Sequence, residues 1–226
     1  MGRAVVWMLI AGVSVVGVVA PHAEALIVIN EVLADPAALS GDANGDGIVS
    51  SAQDEFVELV NTDEQSVSLA HWTLADAVQV RHVFAEAAAI PGYGLFVIFG
   101  GGNPQGFANV AVASTGTLSL NNGGDAVTLR DATAALVGSL TYGAEGGKDV
   151  SLTRMPDATG PFVLHSTANG QPFSPGRTLD GRTQLPFTTV GLPPLPQSSP
   201  VVPEPGPLFL LGGSILSLIK RRRRRI

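Results

Sequence analysis

Short runs of β-branched and aromatic residues recur about every ten residues across the middle of the chain, each followed by Gly, Pro, Asn or Asp. A core-forming helix needs an apolar stripe sustained over roughly ten or more residues, and this punctuation leaves no room for one. Strands are predicted over 26–32, 55–61, 67–74, 80–85, 93–99, 110–113, 117–120, 126–130, 136–142, 150–155 and 162–165. Strands this frequent argue for an antiparallel sandwich or barrel. Asn121-Asn122-Gly123-Gly124 reads as a hairpin between two of them, because Asn and Gly accept positive φ. Asp131-Ala132-Thr133 reads as a second turn. The alanines of 85–90 suggest a loop or a single helical turn, ended by Pro91-Gly92. The absence of cysteine excludes a disulfide scaffold, thiolate zinc sites and a cysteine nucleophile.

The two ends read as addresses. Residues 1–25 have the form of a secretory signal: Arg3, then an uncharged apolar run, then Ala23-Glu24-Ala25 as a small-x-small cleavage site. An uncleaved anchor is the alternative, but the run is shorter than the ~20 residues of a spanning helix. At the other end, residues 183–202 are a proline-rich linker expected to be extended and semi-rigid. Val202, Pro203, Glu204 and Pro205 follow, then an apolar helix over 206–219 and a basic tail over 220–225. This order resembles the PEP-CTERM sorting signal. The resemblance implies a Gram-negative bacterium and export across the inner membrane, with transient residence there through the C-terminal helix. It also implies an exosortase-type processing protease as a partner. The destination would be the cell surface, outer membrane or extracellular matrix, with exopolysaccharide or surface proteins as further partners.

Removing the ends changes the charge balance. Residues 26–200 hold 17 acids and 6 bases, a net of −11, so nucleic acid is not an expected partner of the folded part. Ten of those acids lie before Arg81, where there is no Lys or Arg.

Several ordered segments resemble the lamin-tail domain. These are Ile29-Asn30-Glu31-Val32, the run from Asp54 to Asn61, the run from Val67 to Asp76 with Trp72, and Pro91-Gly92-Tyr93. Leu118 to Asp125, Ser151-Leu152-Thr153-Arg154 and Ser174-Pro175-Gly176 complete the set. The resemblance covers about 150 residues and implies an all-β, immunoglobulin-like antiparallel β-sandwich over 26–182, acting as a binding or structural module rather than an enzyme. Two positions depart from the pattern: His71 and Ala134 stand where the family usually has Gly, and since Gly suggests a permissive conformation there, His71 would need a different local backbone. Trp72, Phe56, Phe84, Phe96 and Phe99 are expected in the core, a stacking platform at Trp72 being the alternative.

One stretch, 42–54, carries metal chemistry. Asp42, Asn44 and Asp46 occupy positions 1, 3 and 5 of a calcium loop, and Gly47 occupies the sharp turn at position 6. Ile48 would supply its carbonyl at position 7 and Ser50 a water contact at position 9. Position 12 is Gln53, so Asp54 is the expected closing carboxylate, with Glu55 in reserve. A strand follows where an EF-hand has a helix, and the loop is similar to the single loops of dockerin-like extracellular modules. An acidic turn without metal is the alternative.

No catalytic set is evident. His71, His82 and His165 lack metal spacing and read as surface or edge residues. No Gly-x-Ser-x-Gly elbow occurs. Gly100-Gly101-Gly102-Asn103-Pro104 reads as a flexible loop rather than a phosphate cradle. Asp54 and Glu58 share a strand face while Glu55 points away, an arrangement better suited to calcium or solvent than to acid–base work. The expected function is therefore an exported non-catalytic module holding one calcium ion. The alternatives are an extracellular hydrolase or nuclease, or a calcium-dependent glycan-binding adhesin.

Overall fold

The computed structural model describes residues 27–186. The expected signal peptide, the sorting motif, the apolar helix and the basic tail lie outside the described residues. Among the described residues no helix is long and apolar enough to cross a membrane.

Twelve strands form in chain order: β1 (Ile27–Leu33), β2 (Phe56–Asn61), β3 (Val67–Ser68), β4 (Thr73–Ala75), β5 (Val80–Val83), β6 (Ala89–Ile90), β7 (Leu95–Phe99), β8 (Val110–Val112), β9 (Asp125–Arg130), β10 (Leu136–Tyr142), β11 (Leu152–Arg154) and β12 (Phe162–Leu164). A short helix, α1 (His165–Asn169), follows β12. The large sheet runs β12-β11-β1-β2-β7-β8, the second runs β10-β9-β4-β5, and β3 pairs with β6. Every pairing is antiparallel except β7 with β8. Ile29, Val57, Leu59 and Ile98 of the large sheet pack with Leu74, Val127, Leu129 and Leu140 of the second in one apolar cluster. This face-to-face packing of antiparallel sheets is the immunoglobulin-like sandwich.

Three expected elements differ. The strand over 67–74 is interrupted: Trp72 N–H donates to Leu69 O (2.9 Å) and His71 has φ +63°, so β3 and β4 join different sheets. Residues 117–120 form no strand. Ser119 N–H donates to Thr117 Oγ1 (3.1 Å), a local side-chain bond that replaces a ladder bond, although Leu118 and Leu120 are buried in the core. Asn121–Gly124 consequently turns the chain into β9 rather than joining two strands, with Gly124 N–H on Asn121 O. The 85–90 segment ends in β6, which pairs with β3. Asp131 does make the β9–β10 hairpin, its Oδ1 accepting from Thr133 N (2.8 Å) and Ala135 N (2.9 Å). Phe56, Phe84, Phe96 and Phe99 are buried, and Trp72 packs partly buried against the core.

The large sheet is covered on both faces. Its outer face carries Leu33, Phe56 and Phe99 under Ala43, Phe107 and Phe173, and Val60 and Leu95 under Ala158 and Leu185. The cover consists of loops and the C-terminal segment, which is why β2 and β7 are buried at every position. Residues 183–186, read as the start of the linker, belong to this cover: Leu185 N–H donates to Tyr93 O (2.8 Å).

A bulge in β1 positions the polar part of that face. Ile29 pairs with Leu59 and Glu31 pairs with Glu58, leaving Asn30 as the extra residue. In an unbroken strand Glu31 would share the inner face of Ile29; the inserted residue reverses the alternation. Glu31 therefore lies on the outer face beside Glu58, and Val32 returns to the core.

Candidate functional site

The outer face of the large sheet encloses a polar network between its two apolar clusters. Glu31 and Glu58, from β1 and β2, are both wholly buried. Glu31 Oε1 accepts from Ser151 Oγ (2.6 Å) and Ser174 N (2.9 Å), and Oε2 accepts from Ser174 Oγ (2.9 Å). Glu58 accepts from Asn30 Nδ2 (2.9 Å) and Gly176 N (2.7 Å). Asn30 also donates to Asp157 (3.2 Å) and accepts from Ala158 N (2.8 Å). Burial raises the Glu31 carboxyl, against the pull of His165 and the serine donors. Burial, then the charge of Glu31, pushes the Glu58 carboxyl well above its ordinary range.

These donors explain why the lamin-tail-like segments go together. Asn30, Glu31, Glu58, Ser151, Ser174 and Gly176 come from four separate stretches and meet in one network. Gly176 has φ +74°, and a Cβ there would press on the Phe107 ring at 3.0 Å, so the turn needs Gly.

His165, read as a surface or edge residue, is instead fully buried. Its Nδ1 lies 3.0 Å from Gln171 O, a pure acceptor, so Nδ1 carries a proton. Its Nε2 lies 2.8 Å from Ser174 Oγ and 3.8 Å from Glu31 Oε2. A serine beside a histidine and a carboxylate invites comparison with a nucleophilic triad. The geometry is different in kind. Glu31 bonds the serine rather than Nδ1 of the histidine, and Ser174 Oγ is also 3.1 Å from Arg177 O. The amides of Ser174 and Gly176, which an oxyanion would need, already donate to Glu31 and Glu58.

The loop over 42–54 folds through its own side chains. Asp42 Oδ2 accepts from Gly47 N (3.0 Å), Asn44 Oδ1 from Asp46 N (3.0 Å), and Asp46 Oδ1 from Ile48 N (2.9 Å). Asp54 is fully buried and closes the loop, its two oxygens accepting from Asn44 N (3.0 Å) and Ser50 N (2.7 Å). Ser50 Oγ accepts from Gln53 N (3.3 Å). Gly45 and Gly47 take φ of +71° and +86°. Asp42 Oδ1 is buried and has no hydrogen-bond partner. Among the described residues no three His, Cys, Asp or Glu side chains stand together as a ready-made metal site. Asp42, Asp46 and Asp54 are therefore not gathered into a ready-made cage, and a calcium shell here would also need the amide and carbonyl oxygens of Asn44 and Ile48.

The glycine-rich stretch after β7 is the seat of this loop. Asn103 N donates to Asp46 Oδ2 (3.0 Å), Gln105 N to Asn44 O (2.8 Å) and Gly101 N to Gln53 O (3.1 Å). A Cβ on Gly100 would strike Ala52 O, and one on Gly102 would strike Asn44 Nδ2 and Asp46 Oδ2. The glycines thus permit backbone contact with the loop, a role invisible to the reading of 100–104 as merely flexible.

Glu55 turns away from the loop, toward the inner edge of the sandwich. Burial pushes its carboxyl up to about 7, opposed by backbone donors at Leu120 and Ser119. Asp76 nearby holds Arg81, with Nε at 2.7 Å. His82 is also buried rather than at the surface; its ring stands edge-on to Phe84 at 4.6 Å, and burial lowers its pKa. His71 is exposed and pairs with Glu86 at 2.7 Å.

These features define an immunoglobulin-like β-sandwich module. The model of the Lamin Tail Domain matches residues 20–144, and the chain belongs to that family. The match ends before β11, β12 and the Ser174–Gly176 turn, although these complete the large sheet and its polar network. No curated protein matches the chain.

Proposed function

We propose that the chain is an exported, non-catalytic binding or structural module of a bacterial cell surface or extracellular matrix, stabilised by one calcium ion held in the 42–54 loop. The observation that carries the metal reading is the buried, unpartnered Oδ1 of Asp42. A buried anionic oxygen without a donor is costly, and a cation relieves it. Asp42, Asn44, Asp46 and the carbonyl of Ile48 would supply oxygens, Ser50 would act through water, and Asp54 would close the shell. Tying 42–54 to its glycine seat would be the ion's structural work. The non-catalytic reading is supported by the saturated hydrogen bonding of Ser174, His165 and Glu31, which favours it over a hydrolase or nuclease.

Thermal melting at about 1 mM calcium and in chelator tests the metal. A ligand that binds only the folded state raises the midpoint. Superimposed curves would remove calcium from the proposal, and Asp42→Ala/Asp46→Ala should fold yet lose the response. The address is tested separately, by the mass of the surface-recovered chain. Removal of the segment after Val202-Pro203-Glu204-Pro205 by an exosortase-type protease predicts loss of the basic tail; an intact C-terminus on the recovered chain contradicts it.

A further inference from the structure

A cleft of about 450 Å³ opens on the outer face, between residues 105–109 and 173–177. Its size lies in the ordinary range for small-ligand sites. Phe107 and Phe173 are half-buried in its wall, and Gln105, Asn109 and Thr183 add amide and hydroxyl groups. The aromatic rings are fixed from behind: Phe107 packs on Phe99 at 5.0 Å and Phe173 on Phe56 at 6.5 Å. Asn109 is held by its bond to Leu95 O (3.0 Å).

The charge of the cleft departs from that of the domain. The described residues hold 17 acids against 6 bases, yet no Asp or Glu lines the cleft and its one charged lining residue is Arg177. The exposed Arg177 guanidinium is steadied through one nitrogen by Gly181 O (3.2 Å), and its other donors remain for a ligand. A lone cation at an acid-free opening in an acidic surface selects an anion. Partly exposed aromatic rings flanked by amides suit the C–H faces and hydroxyl edges of a pyranose. We infer that this cleft binds an acidic saccharide, with Arg177 on the carboxylate and Phe107 and Phe173 against the ring.

The inference deepens the proposed binding role, and it couples to the calcium reading through one wall. Residues 103 and 105 are bonded to Asp46 and Asn44, while the opposite wall hangs from Glu31 and Glu58 through Ser174 and Gly176.

The test is calorimetric titration of the full chain with cellotetraose and with its analogue oxidised to uronic acids at C6, in calcium and in chelator. The uronate should bind and the neutral sugar bind at least tenfold more weakly. Arg177→Gln should weaken uronate binding about tenfold, the loss of one charge-assisted contact, while Arg130→Gln on the second sheet should leave it unchanged. Failure of the uronate to bind, equal effects of the two arginine variants, or preferential binding of tetraglutamate overturns the saccharide assignment. If calcium raises the melting midpoint and the uronate still fails, only the cleft is wrong. If the uronate binds and calcium leaves the midpoint unmoved, only the calcium reading is wrong.

Discussion

Glu31 and Glu58 stand directly opposite each other on neighbouring strands, both with no solvent exposure, and both bonded to the same turn at Ser174–Gly176. Two carboxyls in one buried site are tolerable only with several donors or a proton between them. The C-terminal segment supplies the donors.

Removing one of those donors has a defined cost. Ser174→Ala strips Glu31 Oε2 of its hydroxyl donor and leaves His165 Nε2 facing a methyl group. We expect a loss of about 2–3 kcal/mol in denaturant unfolding, against under about 0.5 kcal/mol for the exposed Ser166→Ala. Equal midpoints for the two variants would contradict the network.

The segment beyond the family match is part of the fold. A chain ending at residue 144 lacks β11 beside β1 and all the donors of Ser151, Ser174 and Gly176. It should fail to give a cooperative thermal transition, whereas a chain ending at residue 186 should melt as one unit.

Stability should fall with rising pH through the Glu55 window. The folded carboxyl titrates at about 7 and the unfolded one near 4.5, so the native state holds a proton that the unfolded chain releases between those values. Its favourable contribution is complete below pH 4.5 and is lost as pH rises through 7, about 3 kcal/mol in all at 1.36 kcal/mol per unit. Glu55→Gln should flatten this part of the profile, and the difference between the two proteins isolates it from the opposing titration of His82.

Two left-handed residues invite glycine. Ala134 has φ +66° and His71 φ +63°. Relief of the Cβ strain outweighs the entropy of glycine by up to about 1 kcal/mol. Ala134→Gly should therefore raise the melting midpoint by about 2–4 °C. The gain from His71→Gly should be smaller, since histidine tolerates this region better than alanine and its exposed pair with Glu86 is lost.

Gly102→Ala tests the seat of the loop. Its φ is +75° and its Cβ would collide with Asn44 and Asp46. The variant should lose most of the calcium-dependent rise in midpoint while remaining folded in chelator, which paired melts would show.

Much of this architecture is legible in the sequence because local rules dominate. The β-branched runs become β1, β2, β7, β9 and β10, but His71 keeps the left-handed backbone that a glycine would take rather than a different one. The errors share a cause: tertiary partners. Leu118 and Leu120 alternate like a strand and are buried like one, but Thr117 Oγ1 and the Glu55 carboxyl take the backbone donors of Ser119 and Leu120. Glu31 lies in a segment that the resemblance marks, but nothing local in the sequence pairs it with His165; the β1 bulge, one residue in a pairing register, turns Glu31 to the face where the two meet. Gly100–Gly102 reads as slack chain until the loop it supports is seen against it.

The bulge at Asn30 also links the first strand of the domain to its last segment. β1 pairs with β2 on one edge and with β11 on the other, where the carboxylate of Glu31 meets Ser151, 120 residues later in the chain. In the unfolded chain Glu31 and Glu58 are hydrated and ionised like any surface carboxylates. Folding dehydrates both, and burial raises both carboxyls, so between the unfolded and folded titration points the chain takes up protons as it folds. Folding is thus an acid–base reaction with the surrounding medium, and its equilibrium carries the acidity of that medium.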